Sequence, residues 1–409
     1  MRDGRFLLGF LAGVTVIAIA AGTVEATAPA PSSATIEALP AAAISGSTVA
    51  VIGDYGVDTS AEANVATLVA GWNPDAIVTV GDNYYTSGGS GTGKYDLVVG
   101  KYYCAFLKGA ASGTNCAGGT ADVNRFFPAT GNHDYSDGGI SNYTGYFALP
   151  GTELVYRQVV GDVEFFFLDS DLALRSASEM DAEKTWLQAA LGNSTTAWQI
   201  VVFHHPPYSS SSTHGSSLEM RWPFATWGAD LVLSGHDHTY ERLSSGGLTY
   251  VVNGLGGAGR YAFGSALAES IVRYAANWGA MKLVSTSTYL TATFVSIDGT
   301  TRDTFSLGTP PVTPGAFGKT SPTSNAKNVS RAPTLSWASA TDAAGYAYCV
   351  DTTLNGTCDA TWVSTGTATT ATLSGLLSKK NYEWQVRATS TGGTTYANAS
   401  RWWRFTTVR

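Results

Sequence analysis

Hydrophobic residues recur along this chain in short runs, and the rhythm of those runs changes twice. From about Thr48, apolar stretches of strand length alternate with loops rich in Gly, Asp and Asn. Five runs stand out: Val49–Ile52, Ala76–Val80, Phe126–Thr130, Ile200–Phe203 and Leu231–Ser234. Between them, Glu183 to Leu191 has helical spacing, with Trp186, Leu187, Ala190 and Leu191 on one face. After a stretch carrying Pro310, Pro311 and Pro314, the rhythm becomes a period of two. There Tyr382, Trp384 and Val386 alternate with polar residues, as do Trp403 and Phe405, which predicts half-buried strands.

These breaks divide the chain. Residues 1–26 read as a signal peptide, with Arg2 and Arg5 flanking the start of an apolar run from Phe6 to Ala21 and small residues at Val24 and Ala26. The alternative is a retained anchor, but the run is short of the ~20 residues a membrane span needs. Residues 27–47 read as a linker rich in Ala, Pro and Ser, 48–308 as the main domain, 309–318 as a second linker and 319–409 as a separate all-β module. The expected destination is outside the cell or the periplasm, with no stable membrane insertion after cleavage.

Composition narrows the function classes. Charged residues are 13% of the 409 and the net charge is −7. A nucleic-acid binder normally shows a basic face, so that class is set aside. An anionic substrate is not, because bound metal ions dominate the field of a site. The four cysteines fall as two close pairs, Cys104 with Cys116 and Cys349 with Cys358. In an exported protein this suggests two local disulfides, the alternative being free thiols. Neither pair has zinc-knuckle spacing.

The chemistry lies where the five apolar runs end. They lead into Gly53-Asp54-Tyr55-Gly56, Gly81-Asp82-Asn83-Tyr84-Tyr85, Gly131-Asn132-His133-Asp134, His204-His205-Pro206-Pro207 and Gly235-His236-Asp237-His238. Sites in α/β sheets form in loops beyond the carboxyl ends of strands, so these tips can converge. Asp, Asn, His and Tyr are oxygen and nitrogen donors suited to Fe, Mn or Zn. All six histidines, His133, His204, His205, His214, His236 and His238, lie in or beside these motifs.

The ordered motifs resemble those of the calcineurin-like metallophosphoesterases, and specifically the purple acid phosphatases, over about Val49 to Gly259. Most of that wider family begins with Asp-x-His; here the third position is Gly56, and Tyr85 stands where purple acid phosphatases place a tyrosinate. The resemblance implies a four-layer α/β/β/α sandwich. It implies that Asp54, Tyr85 and His238 hold Fe(III), that Asn132, His204 and His236 hold Fe(II), Zn or Mn, and that Asp82 bridges the two. His133 and His214 become catalytic histidines; Asn132 and His133, with His205 and Arg242 as weaker candidates, would meet substrate. His133, His205 and Arg242 each also have a purely structural reading, and the length of its loop leaves the role of His214 open. The implied reaction is hydrolysis of small phosphomonoesters by attack of metal-bound hydroxide. Alternatives are a phosphodiesterase or nucleotidase on the same core, or a non-catalytic secreted binding protein. The C-terminal module resembles a fibronectin type III domain of the immunoglobulin-like sandwich class and could act as a spacer or contact polysaccharide or a cell surface.

Overall fold

A computed structural model describes residues 46–85, 93–109, 113–136, 139–171 and 175–409. The stretch read as a signal peptide, and all but the end of the first linker, lies outside the described residues. Among the described residues no helix is long and apolar enough to cross a membrane.

The first unit is built on two mixed sheets. One has the order β13-β12-β11-β1-β2-β3, where β1 is Ser47–Ile52, β2 Ala76–Thr79, β3 Phe126–Pro128, β11 Gly279–Ser285, β12 Tyr289–Ser296 and β13 Thr301–Gly308. β1, β2 and β3 run parallel, and β11 returns antiparallel to β1. The other sheet has the order β10-β8-β9-β7-β6-β5-β4, with β4 at Tyr156–Val160, β5 Val163–Phe167, β6 Trp198–Val202, β7 Leu231–Ser234, β8 Tyr240–Ser245, β9 Leu248–Asn253 and β10 Ser270–Tyr274. β5, β6, β7 and β9 are parallel neighbours.

The continuous apolar runs are explained by burial on both faces. Val49 and Val51 join Phe165, Ile200, Leu233 and Leu283 in a core shared by the two sheets. Ala50 and Ile52 face the other way, packing with Val65 and Val69 of the helix Ser60–Gly71. In the second sheet Val201 and Val232 likewise turn away from the shared core toward Leu187 and Leu191 of the helix Ala177–Gly192. That helix is longer than its periodic segment and begins with a capping box from Ser176 and Glu179. Trp186 is only half-buried, and the apolar stripe is completed by Met180, while Glu183 sits buried beside Arg175 at 3.2 Å.

Residues 309–318 form no helix or strand and lead into an all-β unit. Its strands form one sheet of three, β14 (Lys319–Ser321), β16 (Thr334–Trp337) and β19 (Thr370–Thr372). A second sheet has β15 (Ala326–Val329), β22 (Trp403–Thr407), β20 (Asn381–Ser390), β17 (Gly345–Asp351) and β18 (Val363–Gly366), with β21 (Gly393–Tyr396) also on β20. Leu335, Trp337, Tyr346, Trp384, Val386 and Phe405 form its core. Two expectations change. β1 starts at Ser47, one residue inside the stretch read as linker. β20 is not half-buried: Glu383 and Gln385, on the polar side of the alternation, are fully buried as well. Glu383 accepts from Arg404 at 3.3 Å, and Gln385 Oε1 accepts from the Lys319 ammonium at 2.8 Å. Disulfides join Cys104 to Cys116 and Cys349 to Cys358.

Candidate metal centre

The parallel pairing of β1, β2 and β3 sets their carboxyl ends side by side, and that of β6 and β7 does the same in the second sheet. The turns beyond them are tight. Asp54, Asp82 and His236 are all held in the left-handed region, at φ 54°, 52° and 68°. Non-glycine residues there carry backbone strain, which clusters at functional sites. Glycines make room for their neighbours: a Cβ on Gly131 would stand 2.3 Å from Asp82 Oδ1, and one on Gly235 2.5 Å from Asp54 Oδ2.

The side chains that meet there are the ones the motifs carry. Asp54, Asp82 and His204 can bring one donor atom each to within 4.8 Å of one another. His204 Nε2 lies 3.3 Å from Asp82 Oδ2 and 3.2 Å from both Asn132 Oδ1 and His236 Nδ1. On the other side, His238 Nε2 lies 3.4 Å from Asp54 Oδ1, and the Tyr85 hydroxyl is 3.2 Å from Asp54 Oδ1 and 3.0 Å from His238 Nε2. The arrangement has two lobes: Asp54, Tyr85 and His238 in one, Asn132, His204 and His236 in the other, with Asp82 against the second.

The imidazoles are oriented from behind. His204 Nδ1 faces the Val80 carbonyl at 2.9 Å and His238 Nδ1 faces the Gly259 carbonyl at 2.5 Å. With Nδ1 turned outward to a carbonyl, each Nε2 faces into the cluster, the usual outer support of a metal ligand. His236 presents Nδ1 instead, and its backbone N–H donates to both Asp54 oxygens at 3.1 Å.

The charge balance asks for a cation. Asp54 and Asp82 are buried, and among the described residues no Lys or Arg pairs with either. A buried carboxylate without a partner is costly. Burial alone would raise Asp82, but the imidazoles of His204 and His133 hold it well below the usual carboxylate range. Burial opposes charge on His204 too, yet Asp82 lifts it to about 10. Burial, with Asp54 and Asp82 close by, pushes the Tyr85 phenol well above its usual range. The oxygen and nitrogen donor set and the missing counter-charge both fit metal ions.

The remaining candidates sort by place. The His133 ring packs on Tyr85 at 4.3 Å, and the backbone N–H of His133 donates to Asp82 Oδ1 at 2.9 Å. His205 lies 4.4 Å from the His236 ring, with Nδ1 at 3.0 Å from Ser170 Oγ; burial lowers it to about 3. His214, although exposed, has its ring 4.0 Å from that of His236. Arg242 is placed elsewhere. Its guanidinium contacts Asp303 at 2.7 and 3.1 Å and lies over Phe305, tying β8 of one sheet to β13 of the other.

One aromatic side of the site carries no motif, and one motif residue serves as a fastener. Tyr261 stacks on His238 at 4.0 Å and 11°, and its N–H donates to the His238 carbonyl. It follows the run Gly254 to Gly259, whose abundance of glycine was the available signal. Asp134 accepts from Gly131 N at 2.8 Å, Asn83 Nδ2 at 3.0 Å and Tyr95 at 3.0 Å, so it fastens the second and third loops together. Burial, with Asp82 nearby, raises it to about 7.

Residues 47–240 match the calcineurin-like phosphoesterase family. Purple acid phosphatase 15 of Arabidopsis thaliana is 25% identical over 251 residues, which is 51% of this chain and 44% of the plant protein. An uncharacterised protein of Mycobacterium tuberculosis is 31% identical over 152 residues, covering 30% and 28% of the two chains. The chain thus spans about half or less of the length of these relatives. Two solved structures share the fold. A purple acid phosphatase from yellow lupin seeds has a TM-score of 0.51 at 18% identity, over 64% of this chain and 54% of that one. GAP50, the anchor in the inner membrane complex of Plasmodium, has a TM-score of 0.53 at 17% identity, over 65% and 90%. This chain therefore carries a calcineurin-like metallophosphoesterase domain with purple acid phosphatase homologues at low identity.

Proposed function

We propose that the chain is a secreted, two-metal phosphatase of the purple acid type acting on small phosphomonoesters. The observation that carries this reading is the meeting of seven donor residues, of which Asp54, Asp82, His204 and His238 are buried, with neither carboxylate paired to a Lys or Arg among the described residues. GAP50 has the same fold and is described as an anchor, so the fold does not supply the activity; the donor set does.

In this reading Asp54, Tyr85 and His238 hold Fe(III), Asn132, His204 and His236 hold Fe(II), Zn or Mn, and Asp82 serves both. A bound pair would supply a nucleophile from water near neutral pH and neutralise charge on the phosphate. Phosphoryl transfer asks mainly for positioning and charge stabilisation. Asn132 and His133 contact the phosphate, and His133 and His214 are the groups that hand a proton to the leaving oxygen. His205, kept neutral by burial, lines the same face. The reading also takes the first unit as a four-layer α/β/β/α sandwich and residues 319–409 as a fibronectin type III-like module that serves as a spacer or contacts polysaccharide or a cell surface.

The test is metal analysis of the purified protein with parallel assays on p-nitrophenyl phosphate and bis(p-nitrophenyl) phosphate. Two metals per chain and faster monoester hydrolysis are expected. Asp82→Ala should lose metal and activity together, and Tyr85→Phe should lose visible absorbance while staying folded. A folded, metal-free, colourless wild type would overturn the proposal; a preference for the diester would overturn the substrate assignment.

A further inference from the structure

The carboxylate of Asp237, between two of the site histidines, is fully buried and faces no Lys, Arg or His ion-pair partner among the described residues. It accepts instead from one loop. Ser209 Oγ donates to Oδ2 at 2.5 Å, Gly215 N to the same oxygen at 3.1 Å, and His214 N to Oδ1 at 3.2 Å. Gly215 has φ +75°, which lets two successive N–H groups turn toward one anion.

The base of that loop is fastened elsewhere. Ser210 N and Oγ donate to Glu241 at 2.7 and 2.6 Å, and Ser212 N donates to the Ala262 carbonyl at 3.0 Å. Ser209 at the base thus has neighbours held by other partners, whereas the N–H groups of the tip, residues 214 and 215, are held by Asp237. At that tip the exposed His214 ring sits 4.0 Å from the ring of His236. The geometry points to Asp237 as the positioning residue that holds His214 over the metal centre, so that one short motif carries two site histidines and also places a third from a separate loop. Its effect on turnover rests on the proton-donor role given to His214 above; its effect on the position of His214 does not.

Asp237→Asn is the informative change. Keeping the amide oxygen at the Oδ2 position preserves the bonds to Ser209 and Gly215. The amide nitrogen then faces the His214 N–H, donor against donor, so the damage falls on His214 alone. The crystal structure of D237N should show the His214 ring displaced while His236 and His238 keep their places. Turnover of an alkyl phosphate, whose leaving group needs a proton, should fall relative to 2,4-dinitrophenyl phosphate, whose leaving group does not. The ratio of the two kcat values should drop about 10- to 100-fold, within the range that one proton donor contributes. His214→Ala should shift the ratio in the same direction, and the double variant should shift it no further than H214A.

An unmoved His214 in D237N overturns the proposal, as does a D237N ratio equal to wild type when H214A shifts it. An equal loss on both esters marks Asp237 as merely structural and also overturns it. If H214A leaves the ratio unchanged, or wild type hydrolyses neither ester, the functional reading fails and the crystallographic arm alone decides the positioning claim. Should D237N not fold, Gly215→Ala disturbs the same tip through backbone strain, since its Cβ would have 3.8 Å to the nearest atom; it should displace His214 likewise.

Discussion

Gly56 stands where the wider family's Asp-x-His motif carries a histidine, and its surroundings make a sharp prediction for Gly56→Ala. The glycine is buried and its φ lies outside the left-handed region, so crowding alone decides the outcome. An added Cβ would lie 2.1 Å from the Asn83 carbonyl oxygen, 2.4 Å from its carbon and 2.7 Å from Tyr84 Cα. Real Cβ atoms essentially never come within 3.0 Å, so the backbone must move by about 0.9 Å or more. That segment cannot move freely. Asn83 is held by Tyr55 at 2.9 Å, Thr79 at 2.6 Å and the Ala129 carbonyl at 2.7 Å, and Tyr85 N donates to the Gly56 carbonyl at 2.7 Å. Overpacking of this kind costs about 1–3 kcal/mol, and a backbone clash in a fully bonded segment belongs at the upper end. At roughly 2–4 °C per kcal/mol for a domain of this size, unfolding should come about 5–10 °C earlier by calorimetry. Because the displaced segment carries Tyr85, metal content should fall as well. Unfolding within about 1 °C of wild type, with metal content unchanged, would refute the reasoning.

Two further predictions concern parts of the fold away from the site. Removing both cysteines of the Cys104–Cys116 pair opens a loop of sequence separation 12 and should cost about 3 kcal/mol in chemical denaturation; a loss below about 0.5 kcal/mol would show that the crosslink contributes nothing. Lys319 is buried against Trp384 and Trp403, meets only neutral acceptors, and burial lowers it to about 7. The unfolded lysine keeps its proton to about pH 10.5, so between about pH 7 and 10.5 the unfolded chain binds more protons and stability rises with pH. Lys319→Met should flatten that slope, by roughly 2–4 kcal/mol across the window, in denaturation curves followed by Trp fluorescence. Parallel slopes for the two proteins would rule the idea out.

Much of this protein is written locally. Strand positions such as Val49–Ile52 and Ile200–Phe203 are legible because a buried strand needs an unbroken apolar run, and the run ends where ligand residues begin. The placement of all six histidines in or beside those ends singles out the candidate site before any fold is known. The close spacing within each cysteine pair likewise suggested both crosslinks. Only the tertiary structure decided which charged or aromatic neighbours serve the site. Arg242 meets Asp303, 61 residues away and in the opposite sheet, while Tyr261 reaches His238 and Asp237 reaches His214. The burial of Glu383 and Gln385 was hidden for the same reason, since it depends on which strands flank β20. A side chain's type and spacing follow from the local sequence; its partner depends on how sheets distant in the chain come to lie against each other.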